Sequence, residues 1–359
     1  MRRTRATGTA LLLVVAALTG CAKDIPRGEL RYGVNAEPEG ERMLWPQPPE
    51  VPRYAFAGEL TGEKNFHRPD DAGKGAGALF RALVGLDAEP ENPVVLQRPV
   101  SGVVDGEGRV YVTDVSRQAV FVFDPKAGEL QVWDQAAGLV RLVAPSGIAL
   151  GANGEVLVAD AELGYVVRIG RDGSALGAIG KEVLTRPTGV ARDPRRGLLY
   201  VADTYAHDVK AFDDEGRLVQ IIGRRGTALG EFNFPTHLAF SNDELYVTDT
   251  MNNRVQVITA GGEGATRSLG TRGLFIGNLV RPKGVAVDGD GNIYVVESYF
   301  DTLLVYNPRG ELLMPLGGSG TGTGRFYLPA GVWIDQDNRV FVADMFNGRV
   351  AVFQFLGGG

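Results

Sequence analysis

Six carboxylates recur at equivalent points of the chain. Asp114, Asp160, Asp203, Asp249, Glu297 and Asp344 each close a short apolar run: VYVTD, VLVAD, LYVAD, LYVTD, IYVVE and VFVAD. A ring of carboxylates could chelate a divalent cation, because hard cations take several oxygen ligands. A structural use competes with it, since an acid at a strand end accepts hydrogen bonds from the backbone N–H groups of its loop. An acid in every copy fits the structural use, whereas a metal site would draw on a few copies unequally. These six are therefore expected to be structural, with no metal and no cofactor assigned.

His237 is the second candidate, as a base or a ligand. The other histidines, His67 and His207, hold no equivalent position, so no imidazole set can be assembled with it. A third candidate is the glycine-dense stretch LGGSGTGTGRFYLPAGV, residues 316 to 332. A dinucleotide loop needs G-x-G-x-x-G ahead of a helix. Here the third glycine is replaced by Arg325 or Thr323, and a proline and strand-forming residues follow. No G-x-S-x-G or H-E-x-x-H is present. No catalytic residue is assigned.

The elements that position these residues repeat. A proline before a short loop and an apolar strand occurs at Pro99, Pro145, Pro187, Pro235, Pro282 and Pro329. Each copy continues through a turn, a second strand ending in the acid, a loop, a third strand, a turn and a fourth strand. The glycine-dense stretch then follows as the connector to the next copy. Its counterpart GRRGTALGEFNFPTHL lies at residues 223 to 238. Six repeats of four strands predict an all-β, six-bladed β-propeller over residues 98 to 356. The last repeat lacks a fourth strand, and RYAFAGEL at residues 53 to 60 is expected to supply it and close the ring, within a closing segment 52 to 61. Between them, residues 62 to 97 form an insertion. Leu79, Phe80, Leu83 and Leu86 have helical spacing there, which predicts one short amphipathic helix.

Residues 1 to 20 read as a targeting segment. MRRTR is basic, and ALLLVVAAL is apolar but too short to span a bilayer. LTGC follows and resembles the lipobox of bacterial lipoproteins. That resemblance implies cleavage before Cys21, lipidation of its thiol and, with Ala22 next, an outer-membrane location facing either the periplasm or the exterior. Cys21 is the only cysteine, so no disulfide forms within the chain. Residues 21 to 51, ending in WPQPPEVPR, read as a proline-bearing tether. The net charge of −6 becomes −9 once Arg2, Arg3 and Arg5 leave with the first twenty residues. An acidic body argues against nucleic acid as a partner.

FPTHLAFSNDELYVTDTMNNRVQVI and LPAGVWIDQDNRVFVADMFNGRVAVF resemble the NHL repeat. The layout of lipobox, tether, insertion and six repeats is similar to a group of bacterial lipoproteins carrying NHL propellers. The resemblance implies fold and location, and a weak association with envelope redox proteins. Propellers of the regucalcin/gluconolactonase type hold a divalent ion through a Glu and amide or acid ligands at the channel. The corresponding inner-strand starts here are mostly glycines.

The remaining candidate is a surface. The loops after each acid should share one face with the connectors. They offer Tyr205, His207, Met251, Asn252, Arg254, Tyr299, Phe300, Phe346 and Arg349, with His237 at the channel mouth. Aromatics, Met and Arg are enriched where proteins recognise one another. The expected function is a non-enzymatic envelope lipoprotein binding a protein, less readily a glycan. The alternative is a metal-dependent lactonase or lyase at the channel mouth.

Overall fold

The computed structural model describes residues 28–33, 43–67, 93–262 and 265–357. Cys21, the signal segment and the expected helix around Leu79–Leu86 lie outside them.

Repeats one to five each fold as one four-stranded antiparallel blade, and the sixth supplies three strands of the last. Blade one runs Pro99–Val104, Val110–Asp114, Ala119–Asp124 and Glu129–Trp133 from the axis outward. The inner strands of the next four blades are Pro145–Leu150, Pro187–Asp193, Pro235–Ser241 and Pro282–Val287. Blade six begins with the shorter Val332–Ile334. Second and third strands are apolar on both faces because each blade is covered by two neighbours. Thus Tyr294, Val296, Leu303 and Val305 of blade five pack on Val340, Val342, Ala351 and Phe353 of blade six. Sandwiched strands need no alternation of polar and apolar residues.

The ring closes with the N-terminal strand. Tyr54–Leu60 pairs antiparallel with Arg349–Phe355, from Tyr54 opposite Phe355 to Leu60 opposite Val350. Arg349 also donates to Glu59 Oε2 at 2.9 Å. The sheet then gains a fifth strand, Leu44–Trp45, paired with Tyr54 and Ala55. Within the expected proline-bearing tether, 21 to 51, Tyr32 and Leu44–Trp45 lie against the propeller. Trp45 stacks edge-on to Phe353 with centroids 5.3 Å apart, and Tyr32 lies edge-on to Phe341 at 6.0 Å. Glu29–Leu30 pairs with Phe66–His67. These apolar contacts hold both stretches on the propeller despite their prolines and polar composition.

Three connectors share one design. Gly223, Gly270 and Gly317 end the fourth strands of blades three to five with φ of 83°, 89° and 90°. Nine residues later Phe232, Leu279 and Phe326 are fully buried. A Cβ on each glycine would collide with that buried side chain. Glycine is thus required twice over, by its backbone angle and by its neighbour. The glycine-dense stretch of residues 316 to 332 is a plugged inter-blade connector, with no helix behind it.

Candidate functional site

The six acids define one face. Each sits buried at the end of a second strand and accepts N–H groups from the incoming connector. Asp114 takes those of Gln97 and Arg98, and Asp160 those of Val143 and Ala144. Asp203 takes Thr185 and Arg186, and Asp249 takes Asn233. Glu297 takes Val280 and Arg281, and Asp344 takes Tyr327. Several also cap their own loop, as Asp114 does with Ser116 and Arg117. The carboxylates are consumed by these bonds, which staple each connector to the loop between second and third strands. Burial pushes the Glu297 and Asp344 carboxyls up, partly offset by the N–H groups they accept. Among the described residues no three His, Cys, Asp or Glu side chains converge as metal ligands.

Four of the expected binding residues serve the scaffold instead. Arg254 donates to Asp249 and to the Ala228 and Glu231 carbonyls. Arg349 donates to Asp344, Glu59 and the Gly322 and Arg325 carbonyls. Asn252 bridges Asp249 and Gly226 O. His207 is buried in the left-handed region, accepts the Phe234 N–H at Nδ1 and packs on the Phe234 ring at 4.5 Å. Arg254, Arg349 and Asn252 thus donate to strand-end carboxylates and connector carbonyls, and His207 accepts a connector N–H.

Tyr205, Met251, Tyr299 and Phe346 are exposed, one in each of blades three to six. Arg186 lies over Tyr205 at 5.0 Å and Arg98 over Phe346 at 5.1 Å. Phe300, half-buried, meets Tyr299 edge-on at 5.0 Å.

The connectors add what the sequence reading missed. Every one presents at least one large apolar side chain to solvent: Val94, Leu139, Val183, Leu229, the triplet Leu274–Phe275–Ile276, and Tyr327. Phe275 is 82% exposed and Leu139 fully so. The signal was available in the triplet, where LFI stands at the point at which the neighbouring copies carry TAL (227 to 229) and TGT (321 to 323). Leu274, Phe275 and Ile276 also wall an apolar groove of ≈ 320 Å³ with Trp45, Phe300 and Leu316. Arg225 and Arg272 on this face form no ion pair among the described residues, whereas the charge of Arg281 is felt by the Glu297 carboxyl. The opposite face carries the acid-rich turns Asp105–Glu107, Asp213–Glu215, Asp243–Glu244 and Asp335–Asp337.

The central channel, ≈ 470 Å³, is walled by the six inner strands. The third residues of these strands and of the matching segment in blade six are Ser101, Gly147, Gly189, His237, Gly284 and Gly331. A Cβ on Gly147 would lie 2.6 Å from Thr188 O, and one on Gly189 2.5 Å from Thr236 O. Adjacent strands thus approach to backbone contact at this level. His237 lines the channel half-buried, its Nδ1 3.1 Å from Thr236 Oγ1. Burial, and secondarily the Lys283 ammonium, pushes its pKa down to about 3.

Comparison with known proteins matches residues 90–316 to the SMP-30/Gluconolactonase/LRE-like region. NHL repeat-containing protein 2 of Bos taurus is 31% identical over 117 residues, covering 30% of this chain and 15% of that protein. The chain spans under a sixth of the length of the curated relatives it matches. A virginiamycin B lyase from Staphylococcus aureus, solved as an inactive variant with quinupristin, superposes with a TM-score of 0.53 at 15% identity, over 72% of this chain and 80% of that one. An auxiliary nutrient binding protein from Bacteroides thetaiotaomicron gives 0.57 at 12% identity, over 73% and 70%. At such identities these likenesses show the fold alone.

Proposed function

The chain belongs to the SMP-30/gluconolactonase/LRE-like family as an NHL-type six-bladed propeller, and from that premise we propose that it works by binding. It is a lipoprotein of the outer membrane, held by acyl chains on Cys21, and its connector face engages an envelope protein. The observation that carries this reading is the belt of exposed apolar side chains on all six connectors, interspersed with unmatched arginines. Large apolar residues repeated around one face mark interaction sites. The charge contrast between the two faces gives the partner's chemistry: an acidic surface with apolar anchors. The groove beside Trp45 and Phe300 takes one such anchor.

A second reading places a lyase or lactonase reaction in the channel. It is favoured by the family match and by His237 in the channel wall.

Affinity purification from native outer membranes in mild detergent, with mass spectrometry and a metal assay on one eluate, separates the two. Binding predicts a stoichiometric protein that is lost when Tyr299 and Phe300 become Ala, or when Leu274, Phe275 and Ile276 become Ser. Retention of that protein by both variants, or a lipid vesicle alone as the partner, overturns it. One tightly held divalent ion per chain together with turnover of a lactone supports the second reading. Incorporation of labelled palmitate, abolished by C21S, tests the anchor.

A further inference from the structure

The outermost strand of a blade is a sheet edge, and an uncovered edge is a template for another extended chain. Blade six shows such an edge filled. Its outer strand Tyr54–Leu60 turns the N–H groups of Phe56 and Glu59 outward, where they donate to Met43 O at 2.9 Å and to Tyr32 O. Arg53, just before the strand, donates to Trp45 O at 2.7 Å. The chain covers this edge with two of its own segments.

Blade three repeats the edge without the cover. Its outer strand is Leu218–Ile222. Ile222 opposes Val209 as Leu60 opposes Val350, and Leu218 opposes Phe212 as Phe56 opposes Phe353. Leu218 and Ile221 therefore hold the places of Phe56 and Glu59, and the same register turns their N–H groups outward. Both strands slip by one residue between these places, so the slip is no barrier to pairing. Three of the five residues, Leu218, Val219 and Ile221, are exposed apolar side chains. The outer strands of the other uncovered blades are each interrupted or charged. Blade one has Glu129, blade two Gly177 at φ 141°, blade four Arg267, and blade five Pro315, which lacks an N–H. Charges and proline on an edge discourage pairing, and LVQII carries neither.

Charge selects the occupant. Asp213, Asp214 and Glu215 precede the strand, and Arg192 and Arg217 answer them only in part. Arg224 and Arg225 follow it. Arg224 is paired with Glu231, and Arg225 forms no ion pair among the described residues. Two copies of the strand laid antiparallel bring the acids of each beside the arginines of the other and gather their Val219 and Ile221 side chains. A parallel pair would set acid against acid. Opposite charges and β-branched residues facing across strands stabilise a sheet, and like charges destabilise it.

We propose that the outer edge of blade three is a self-association site, at which a second copy of this chain adds its own Leu218–Ile222 as an antiparallel fifth strand. Five residues a side fall far short of the roughly 20–30 of a standard interface, so the dimer is reversible. The site lies on the rim of the propeller and goes beyond the partner of the connector face.

Sedimentation equilibrium of the whole chain, extracted into a density-matched detergent, tests this. The wild type is expected to show a concentration-dependent monomer–dimer equilibrium. Ile221→Lys should weaken it by at least about tenfold, whereas Leu313→Lys, at an exposed position on the outer strand of blade five, should leave it unchanged. Glu215→Arg and Arg225→Glu should each weaken the dimer, and the two together should restore it, which a merely structural defect would not do. Unchanged unfolding midpoints show that the variants are folded. A monomer at every concentration, a dimer indifferent to Ile221→Lys, or a double charge variant no better than the single ones overturns the proposal. So does a dimer abolished by changing Leu274, Phe275 and Ile276 to Ser, which would place the contact on the connector face. Loss of the envelope partner leaves it standing.

Discussion

Glu59 and Arg349 are 290 positions apart in the chain, and their side chains meet at 2.9 Å. Both are buried, one on the N-terminal strand and the other on the last strand of the sequence. The contact locks the seam of the ring, where strands from before the first blade and from the last, rather than two consecutive strands, pair.

Glu59→Gln should therefore destabilise the propeller by about 2–3 kcal/mol, the cost of weakening a buried charged pair whose cation keeps other partners. Arg349 retains Asp344 and two carbonyls, so folding survives. Urea unfolding monitored by tryptophan fluorescence checks the value, and a loss below about 0.5 kcal/mol would contradict it.

A second seam contact is neutral. Tyr294 donates to Asp288 Oδ2 at 2.9 Å, so the hydroxyl of Tyr54, also 2.9 Å away, must donate to Tyr294. Tyr54→Phe removes one terminal donor and should cost about 1 kcal/mol. Tyr294→Phe removes the acceptor of Tyr54 and one of several donors to Asp288, and should cost about 2–3 kcal/mol. Equal losses in the two variants would show that the order of donation is wrong.

His237 makes the protein acid-sensitive. In the folded chain it stays neutral to about pH 3, whereas the unfolded imidazole charges near the ordinary histidine value of 6.5. Between these values the unfolded chain binds the extra proton. Stability is therefore lost as pH falls through that window, with a slope of at most about 1.4 kcal/mol per pH unit from this group. H237Q should flatten that part of the profile without shifting stability near pH 8. Identical acid limbs for both proteins would exclude His237 as the source.

Gly147 has no positive φ, yet it should tolerate no side chain, because a Cβ would stand 2.6 Å from Thr188 O and 2.8 Å from Val190 N. Gly147→Ala is expected to lower stability by about 2–3 kcal/mol, as overpacking does. Gly289→Ala, where nothing lies within 4 Å, serves as the control and should stay within about 0.5 kcal/mol.

The blades were legible because proline, turn, acid and glycine recur in one order, and each has a local physical cause. The closing strand was legible because a missing fourth strand and an orphan strand-like segment fitted each other. Leu44–Trp45 was not, since a two-residue pairing leaves no periodicity and the stretch is rich in proline. The scaffold roles of Arg254, Arg349 and Asn252 depend on carbonyls some 23 to 27 positions away. Residue type alone suggested recognition there. His207 misled for the same reason, its polarity being spent on a backbone N–H. The solvent-facing connectors escaped notice because apolar residues in a loop normally signal a plug. Here Leu279 is the plug and Leu274 to Ile276 are not.

Blade six also sets an order in time. A ribosome makes Tyr54–Leu60 before any complete blade exists and Arg349–Phe355 last of all. The first-made strand must wait, unpaired at its blade-six edge, while five blades form without it. Recutting the chain so that residue 98 comes first and residues 43 to 61 follow residue 357 would turn this longest-range pairing into a short-range one. The ring would keep the pairing of Tyr54–Leu60 with Arg349–Phe355 and lose the wait, so that closure would become a local step of assembly rather than the most distant.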